Sequence, residues 1–170
     1  DENDNVQFYD NEVDNYKQDH FQLHWNQKWD ASLSTNIALH YTHGRGFYEQ
    51  YKEDQSFSEY NLTPIIAGST TLNTTDLIRR KWLKNDFYGT TVSINYKKSS
   101  VDWTLGSSLN TYEGDHFGEV IWARYSNNLD IRDRYYENNA TKTDGNICSK
   151  TNIQVSKKVN TFLDLQVRQI

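Results

Sequence analysis

The chain has 170 residues, enough for one domain with a core, and its composition is low in aliphatic and rich in aromatic side chains. Hydrophobic residues make up 35% and aromatic residues 14% of the chain. This balance is typical of secreted and outer-membrane β-proteins, and it argues against a Leu-rich helical enzyme. The net charge of -5 argues against a nucleic-acid partner, which needs a basic surface. The single cysteine, Cys148, excludes a disulfide within one chain.

The first hairpin is predicted over about 16–42, where apolar and polar residues alternate on both sides of a turn near Gln27–Asp30. Its apolar face carries Phe21, Leu23, Trp25, Leu33, Ile37, Leu39 and Tyr41. The acidic residues before it are predicted to form a loop with a short strand at Val6–Tyr9.

Two long segments without clear alternation are predicted to be loops, at about 43–86 and about 113–139. Loops of this length are uncommon in compact domains and are usually functional. Within the first, Thr75–Leu83 is predicted to form a short helix with its cap near Thr75 or Asp76.

Two further hairpins, at about 87–112 and about 142–169, repeat the design of the first. The second hairpin turns at Lys97–Ser100 and the third at Ser156–Asn160. Their apolar faces carry Tyr88, Val92, Ile94, Trp103, Leu105 and Leu109 in the second hairpin, and Ile147, Ile153, Val155, Leu163, Leu165 and Val167 in the third. The opposite faces carry small neutral groups and amides, which suit a wall beside confined water.

The fold predicted from these patterns is all-β, with antiparallel up-and-down hairpins and about six strands in a single segment over 1–170. Alternation alone fits both a soluble sandwich and a membrane barrel. All three hairpins, however, place short charged turns at one end and long aromatic loops at the other. That asymmetry favours a section of an outer-membrane β-barrel, whose periplasmic turns are short and whose extracellular loops are long.

Candidate ligand-binding residues lie in the two long loops, where arginine and aromatic side chains occur together. These residues are Arg45, Phe47, Tyr48 and Tyr51 in the first loop, and Trp122, Arg124 and Tyr125 in the second. Arginine binds carboxylate and phosphate groups bidentately, and aromatic side chains anchor recognition surfaces. The alternative is that these aromatics form a girdle at a membrane edge or pack the loops on one another.

Three histidines, His20, His24 and His40, are weak candidates for a metal site on the polar face of the first hairpin. A three-residue turn at Trp29–Ala31 would place His20 opposite His40. No cysteine or convergent carboxylate completes a ligand set, so the histidines are expected to be polar lining groups. No spaced pair of acids or nucleophile motif is present, so an enzyme and a cofactor are not expected.

The runs DNYKQDHFQLHWNQKW, LSTNIALHYTHGRGFYEQYK, DFYGTTVSINYK and RYYENNATKTDGNICSKTNIQVSKKVNTFLDLQVRQI resemble the barrel region of TonB-dependent outer-membrane receptors, most closely those of Bacteroidetes. The resemblance covers about Tyr16 to Ile170. It implies a large barrel of the outer membrane, plugged by an N-terminal domain that this segment lacks. It also implies uptake of a scarce nutrient such as an iron chelate, cobalamin or an oligosaccharide, with TonB acting through the missing plug domain.

The leading interpretation is therefore a fragment of such a receptor, whose loops contribute to capture of a small-molecule ligand. The alternative is a secreted soluble β-domain that binds glycan or a protein partner through its aromatic loops. The two differ in the apolar face, which a soluble domain must cover with a second layer. A barrel fragment in water is expected to self-associate, because its edge strands are unpaired and its apolar face is uncovered.

Overall fold

The computed structural model describes residues 9–170, which lie mostly in β-strands. The described residues form eight strands and no α-helix. The strands are β1 Val13–Lys28, β2 Leu33–Ser56, β3 Ile65–Ala67, β4 Thr70–Leu72, β5 Thr74–Lys98, β6 Val101–Ala123, β7 Arg134–Ser156 and β8 Val159–Gln169. The predicted all-β fold is confirmed. Residues 6–8 of the short strand predicted at Val6–Tyr9 lie outside the described part of the chain.

Six strands form one up-and-down sheet in the order β1-β2-β5-β6-β7-β8. The other two, β3 and β4, form a small antiparallel sheet in the connection between β2 and β5. The large sheet is open, with β1 and β8 as its edge strands within the described residues. No helix among residues 9–170 has the length and apolar character needed to cross a membrane.

Three short turns join the strands of the predicted hairpins, at residues 29–32, 99–100 and 157–158. In the first, the carboxylate of Asp30 accepts hydrogen bonds from the backbone N–H groups of Ser32 and Leu33, at 2.6 and 2.9 Å. This is the local bonding that makes aspartate common in turns. The turns lie close to where charged and small residues predicted them.

The long strands extend beyond the predicted hairpins, so the predicted loops at 43–86 and 113–139 are mostly strand. The true connections are residues 57–73 and 124–133. The predicted helix at Thr75–Leu83 is wrong, because this stretch is part of β5. Thr75 and Leu77 are buried while Asp76 between them is less so, which is the period of a strand. Pairing within the sheet therefore overrides the local helix signal.

The pairing of β7 with β8 shows how register places the apolar residues on one face. Ile147 lies opposite Val167, and Thr151 lies opposite Leu163. Odd-numbered residues of both strands therefore share a face, while Lys150 and Asp164 pair on the other. Because side chains alternate with a period of two, a slip by one residue would reverse both faces.

The chain divides into two compact units, each built from three segments. One contains both long connections and is here called the loop unit. It comprises the residues up to Gln18, Gly44–Asn85 and Gly114–Asn139. The other contains the three short turns and is called the turn unit. It comprises Asp19–His43, Asp86–Glu113 and Ala140–Ile170.

The hydrophobic core of the described residues lies in the loop unit. Its buried members are Phe57, Tyr60, Leu62, Leu77 and Val120, and Ile65, Ala123, Leu129 and Tyr135 pack against them. Phe57–Tyr60 is a single 3-10 turn, and Asn61 ends it in the left-handed conformation at φ 57°. The connection between β2 and β5 thus supplies the layer that covers this part of the sheet.

The two connections of the loop unit are bonded to one another. The Thr63 hydroxyl donates to the side-chain oxygen of Asn127 at 2.6 Å, and its backbone N–H donates to that of Asn128 at 3.0 Å. The Asn61 side chain donates to the carbonyl of Tyr135 at 3.0 Å. These bonds hold both connections in one arrangement over the core.

Candidate functional site

A strip of three aromatic rings crosses the sheet within the loop unit. Phe47 on β2 lies 4.6 Å from Trp82 on β5, between ring centroids. Trp82 lies 5.9 Å from Phe117 on β6, with the two rings nearly parallel at 15°. Such spacings lie in the range of favourable aromatic pairs. The strip offers a flat surface, and it contains one of the predicted binding residues, Phe47.

Cations lie over the ends of this aromatic strip. The Arg80 guanidinium carbon is 4.4 Å from the centroid of Phe47, and that of Arg134 is 3.7 Å from the centroid of Phe117. Both distances fall within the reach of a cation–π interaction. Arg80 also donates from Nε to the carboxylate of Glu49 at 2.6 Å. These cations are already engaged with carboxylates and rings, so they stiffen the strip.

A second cluster forms around Asp76, which joins predicted binding residues from both long segments. Its carboxylate lies 2.8 Å from Nη1 of Arg124, and it accepts hydrogen bonds from the backbone N–H of Asp54, at 3.0 Å, and from the Tyr51 hydroxyl. The bond from Asp54, then that from Tyr51, then the charge of Arg124 hold the pKa of Asp76 below its usual range. The structure therefore brings Tyr51 and Arg124 together through a residue that the sequence analysis assigned to a helix cap.

A cleft of about 630 Å³ opens in the loop unit, and Tyr48 lies on it together with Phe47 and Trp82 of the aromatic strip. Its lining includes Tyr16, Gly46, Lys81, Leu83, His116 and Tyr136. The Tyr16 hydroxyl donates to the side-chain oxygen of Asn85 at 3.0 Å, so its ring runs across β2 towards β5. A Cβ at Gly46 would come within 2.7 Å of the Tyr16 backbone, so only glycine permits this approach.

The predicted binding residues do not form one surface patch. Phe47 and Tyr48 are neighbours on β2, so the pleat directs them to opposite faces. Arg45, Trp122 and Tyr125 are exposed. The backbone N–H of Tyr125 donates to the Thr75 hydroxyl at 2.9 Å, which ties the end of β6 to the start of β5.

The binding candidates on β5 were not predicted from the sequence, because that stretch was predicted to be a loop with a helix. The run from Leu77 to Leu83 shows no period-two alternation of apolar and polar residues, and only its position in a strand separates it into two sets. Arg80, Trp82 and Lys84 belong to the face of the aromatic strip, and Arg79, Lys81 and Leu83 belong to the other face.

The three histidines lie in the turn unit and contact neutral groups. The ring nitrogen Nδ1 of His20 is 2.9 Å from the Thr42 hydroxyl, and Nε2 of His24 is 3.2 Å from the side-chain oxygen of Gln22. His40 is 3.0 Å from the side-chain oxygen of Asn110. The expected opposition of His20 and His40 is not the observed arrangement, because β2 begins at Leu33 after a four-residue turn. Within residues 9–170 no three His, Cys, Asp or Glu side chains are grouped to hold a metal ion.

The polar face of the turn unit carries hydrogen bonds between neutral groups on different strands, together with the ion pairs Lys150–Asp164 and Arg168–Asp144 of β7 and β8. The side-chain nitrogen of Asn36 donates to the Ser93 hydroxyl at 3.0 Å, and that of Asn146 donates to the Ser108 hydroxyl at 2.6 Å. The Thr104 hydroxyl donates to the side-chain oxygen of Asn95 at 3.0 Å. These bonds link strands through groups that water can also solvate.

The apolar residues of the turn unit are largely uncovered. The exposed large ones include Phe21, Leu23, Trp25, Leu39, Leu109, Ile147, Val155, Leu163, Leu165 and Val167. Leu165, for example, keeps 59% of its surface. Val92, Ile94, Trp103 and Leu105 are half-buried, with no second sheet or helix over them among the described residues of this unit. An apolar surface of this extent marks a membrane or protein contact.

No protein-family model matches the chain, and no curated protein and no solved structure is significantly similar to it.

Proposed function

We propose that this chain is part of an outer-membrane β-barrel receptor of the TonB-dependent type. In this proposal the strands of the turn unit form the lipid-facing wall, and the loop unit contributes to capture of a scarce nutrient such as an iron chelate, cobalamin or an oligosaccharide. Contact with TonB belongs to the plug domain of such a receptor. The resemblance of the sequence to these receptors and the two faces of the turn unit support the proposal.

The observation that carries the proposal is the contrast between the two faces of the turn unit. One face carries hydrogen bonds between neutral groups and the ion pairs Lys150–Asp164 and Arg168–Asp144, and the other is an uncovered set of large apolar side chains. A soluble protein rarely exposes so much contiguous apolar surface, because burying it is the main driving force of folding. Lipid chains would cover such a face, while water in a lumen would solvate the polar one.

The aromatic placement in the turn unit agrees with a membrane wall. Next to the first turn, the rings of Trp25 and Trp29 meet edge to face at 6.3 Å between centroids. Tryptophan is enriched at the boundary between lipid and water, where its ring is apolar and its N–H is polar.

A second candidate function is that of a secreted soluble β-domain that binds glycan or a protein partner. The loop unit favours it, because that unit has an ordered core of its own and a flat strip at Phe47, Trp82 and Phe117. This candidate requires another layer or partner to cover the apolar face of the turn unit.

Spin labels placed along β8 in lipid bilayers test the leading proposal. Single cysteines at Leu163, Leu165 and Val167 sample the apolar side, and cysteines at Asp164 and Gln166 sample the other side, all in a Cys148→Ser background. We expect oxygen accessibility to be high at the odd positions and a water-soluble nickel reagent to reach the even positions. Equal access of the nickel reagent to both sets would contradict a lipid-facing wall.

A further inference from the structure

The cleft of the loop unit combines phenol rings with cations. Tyr48 and Tyr136 lie on it beside Lys81, whose Nζ is 5.9 Å from the centroid of the Tyr136 ring. Tyr16 and His116 also line it, and Asp14 is the one carboxylate among the residues that define the cleft. Rings with polar edges suit a ligand that is flat or saccharide-like and carries polar groups.

A second cation, Arg79, lies two residues before Lys81 and therefore on the same face of β5. Its Nη1 donates to the Tyr60 hydroxyl at 2.9 Å, and its Nη2 donates to the side-chain oxygen of Gln50 at 3.1 Å. Both partners are neutral. Among the described residues, the positive charge of this half-buried guanidinium is thus held by hydrogen bonds to neutral groups.

Two buried polar atoms near Arg79 lack hydrogen-bond partners among the described residues. They are its own Nε and the hydroxyl of Tyr135. Burial raises the pKa of the Tyr135 hydroxyl far above its usual range, so this group is a neutral phenol. Burial raises the pKa of Tyr136, and the charge of Arg79 opposes that rise. Neither Arg79 nor Tyr135 is among the residues that line the cleft, so these two atoms do not define the ligand.

We propose that this cleft binds a ligand whose carboxylate is attached to a six-membered ring. The carboxylate accepts hydrogen bonds from the Lys81 ammonium, while Arg79 adds a second positive charge from beneath the cleft. The ring packs on Tyr48 and Tyr136. The inference rests on the proposed ligand-binding role of the loop unit, and it narrows the ligand from nutrients in general to carboxylated rings.

Two chemical sources supply such a ring, an acidic sugar and an aromatic acid. Trigalacturonate is the probe for an acidic sugar, and benzoate is the probe for an aromatic acid. Galactotriose, which carries no carboxylate, is the uncharged control for trigalacturonate. Binding to the full chain in detergent micelles is measured by calorimetry at low salt. We expect one acidic probe to bind, with affinity that falls as salt is added, and galactotriose to bind at least tenfold more weakly.

Substitutions at Lys81 separate charge from shape. Lys81→Gln is expected to weaken binding of the acidic probe about tenfold, or about 1.4 kcal/mol, because it removes a hydrogen bond between two charged groups. Lys81→Arg is expected to retain most of the affinity. Lys84→Gln is the matched control, since this exposed lysine is not among the residues that line the cleft. Far-ultraviolet circular dichroism and thermal unfolding verify that each variant is folded.

The outcomes distinguish this inference from the wider proposal. Equal binding of galactotriose and trigalacturonate, or an equal loss in Lys81→Gln and Lys84→Gln, would overturn the carboxylate site. Failure of both acidic probes to bind would overturn it too. In each case the spin-label pattern of β8 still decides separately whether the turn unit is a membrane wall.

Discussion

The loop unit and the turn unit use the same alternating sequence pattern, but only the loop unit covers its apolar residues. Leu77 and Val120 in the loop unit have no exposed surface, because the connection between β2 and β5 lies over them. In the turn unit Val167 keeps 75% of its surface, and its connections are turns of two to four residues. Turns this short cannot supply a covering layer.

Alternation therefore determines which side chains of a strand share a face, but it does not determine what covers that face. In the loop unit a second layer of the chain itself excludes water from the apolar residues. In the turn unit the covering medium has to come from outside the described residues. In the proposed receptor, lipid covers the apolar face of the turn unit. Substitutions in the two units test whether their apolar residues are covered by different media.

The largest expected effect is that of Leu77→Ala in the loop unit. Removing a fully buried leucine leaves a cavity, and such changes cost about 2–5 kcal/mol of unfolding free energy. Denaturant unfolding of the chain in detergent micelles, followed by far-ultraviolet circular dichroism, measures this cost.

Leu165→Ala in the turn unit is the matched control for Leu77→Ala. Its side chain is mostly exposed, so the change is expected to alter the unfolding free energy by no more than about 0.5 kcal/mol in micelles. Equal costs for the two leucines would mean that both units bury their apolar residues within the protein.

The next effect is that of a charge on the exposed apolar face. Leu165→Arg is expected to weaken insertion into bilayers by about 2–4 kcal/mol if the residue lies near the midplane. Gln166→Arg places the same charge on the other face of β8 and is expected to leave insertion nearly unchanged. Folding into vesicles over a series of urea concentrations measures both. Similar losses for the two variants would show that the faces do not differ in environment.

The aromatic strip of the loop unit is expected to give an intermediate effect. Trp82→Ala removes ring contacts with Phe47 and Phe117, worth about 1–3 kcal/mol together. Trp82→Phe keeps an aromatic ring but removes the hydrogen bond from Nε1 to the Glu119 carboxylate, for a loss of about 1.5–3 kcal/mol that Trp82→Ala also incurs. Unfolding free energies from far-ultraviolet circular dichroism should rank the two variants in this order, and the reverse order would rule out stacking as the main contribution.

The sequence sufficed for the strands and turns because both depend on local signals. Period-two alternation marked the strands, and Asp30 and the Ser99–Ser100 pair marked turns. The sequence did not suffice where pairing partners decide the structure. Leu77–Leu83 has residues that suit a helix, and only its neighbours β2 and β6 make it a strand.

The candidate sites depended still more on contacts distant in sequence. Tyr51 and Arg124 were predicted separately, and Asp76 joins them. The cleft collects Tyr16, Tyr48 and Tyr136 from three separate segments of the chain. No local pattern reveals such a combination, since it arises from strand register and from the approach that Gly46 permits.

The smallest expected effect is a pH dependence at Asp76. Because contacts hold the pKa of this carboxyl below its usual value near 4, the carboxylate stabilises the cluster fully above that value. The stabilisation is lost as the pH falls through the lowered pKa. Hydrogen exchange of the Asp54 amide, corrected for intrinsic rates, should therefore accelerate on acidification below about pH 4. Asp76→Asn should remove this pH dependence of exchange. Glu53→Gln changes an exposed neighbouring residue and should keep it. The same pH profile of exchange in both variants would exclude Asp76 as the cause.

Light scattering of this 170-residue chain, in plain buffer and again in mild detergent, shows whether the turn unit needs an apolar covering medium. A lipid-facing wall in the turn unit predicts oligomers or aggregates in buffer, because the apolar face and the edges of β1 and β8 find partners in other copies. Detergent should disperse them to single chains. A monomer in buffer that detergent leaves unchanged would contradict the account and favour the soluble β-domain.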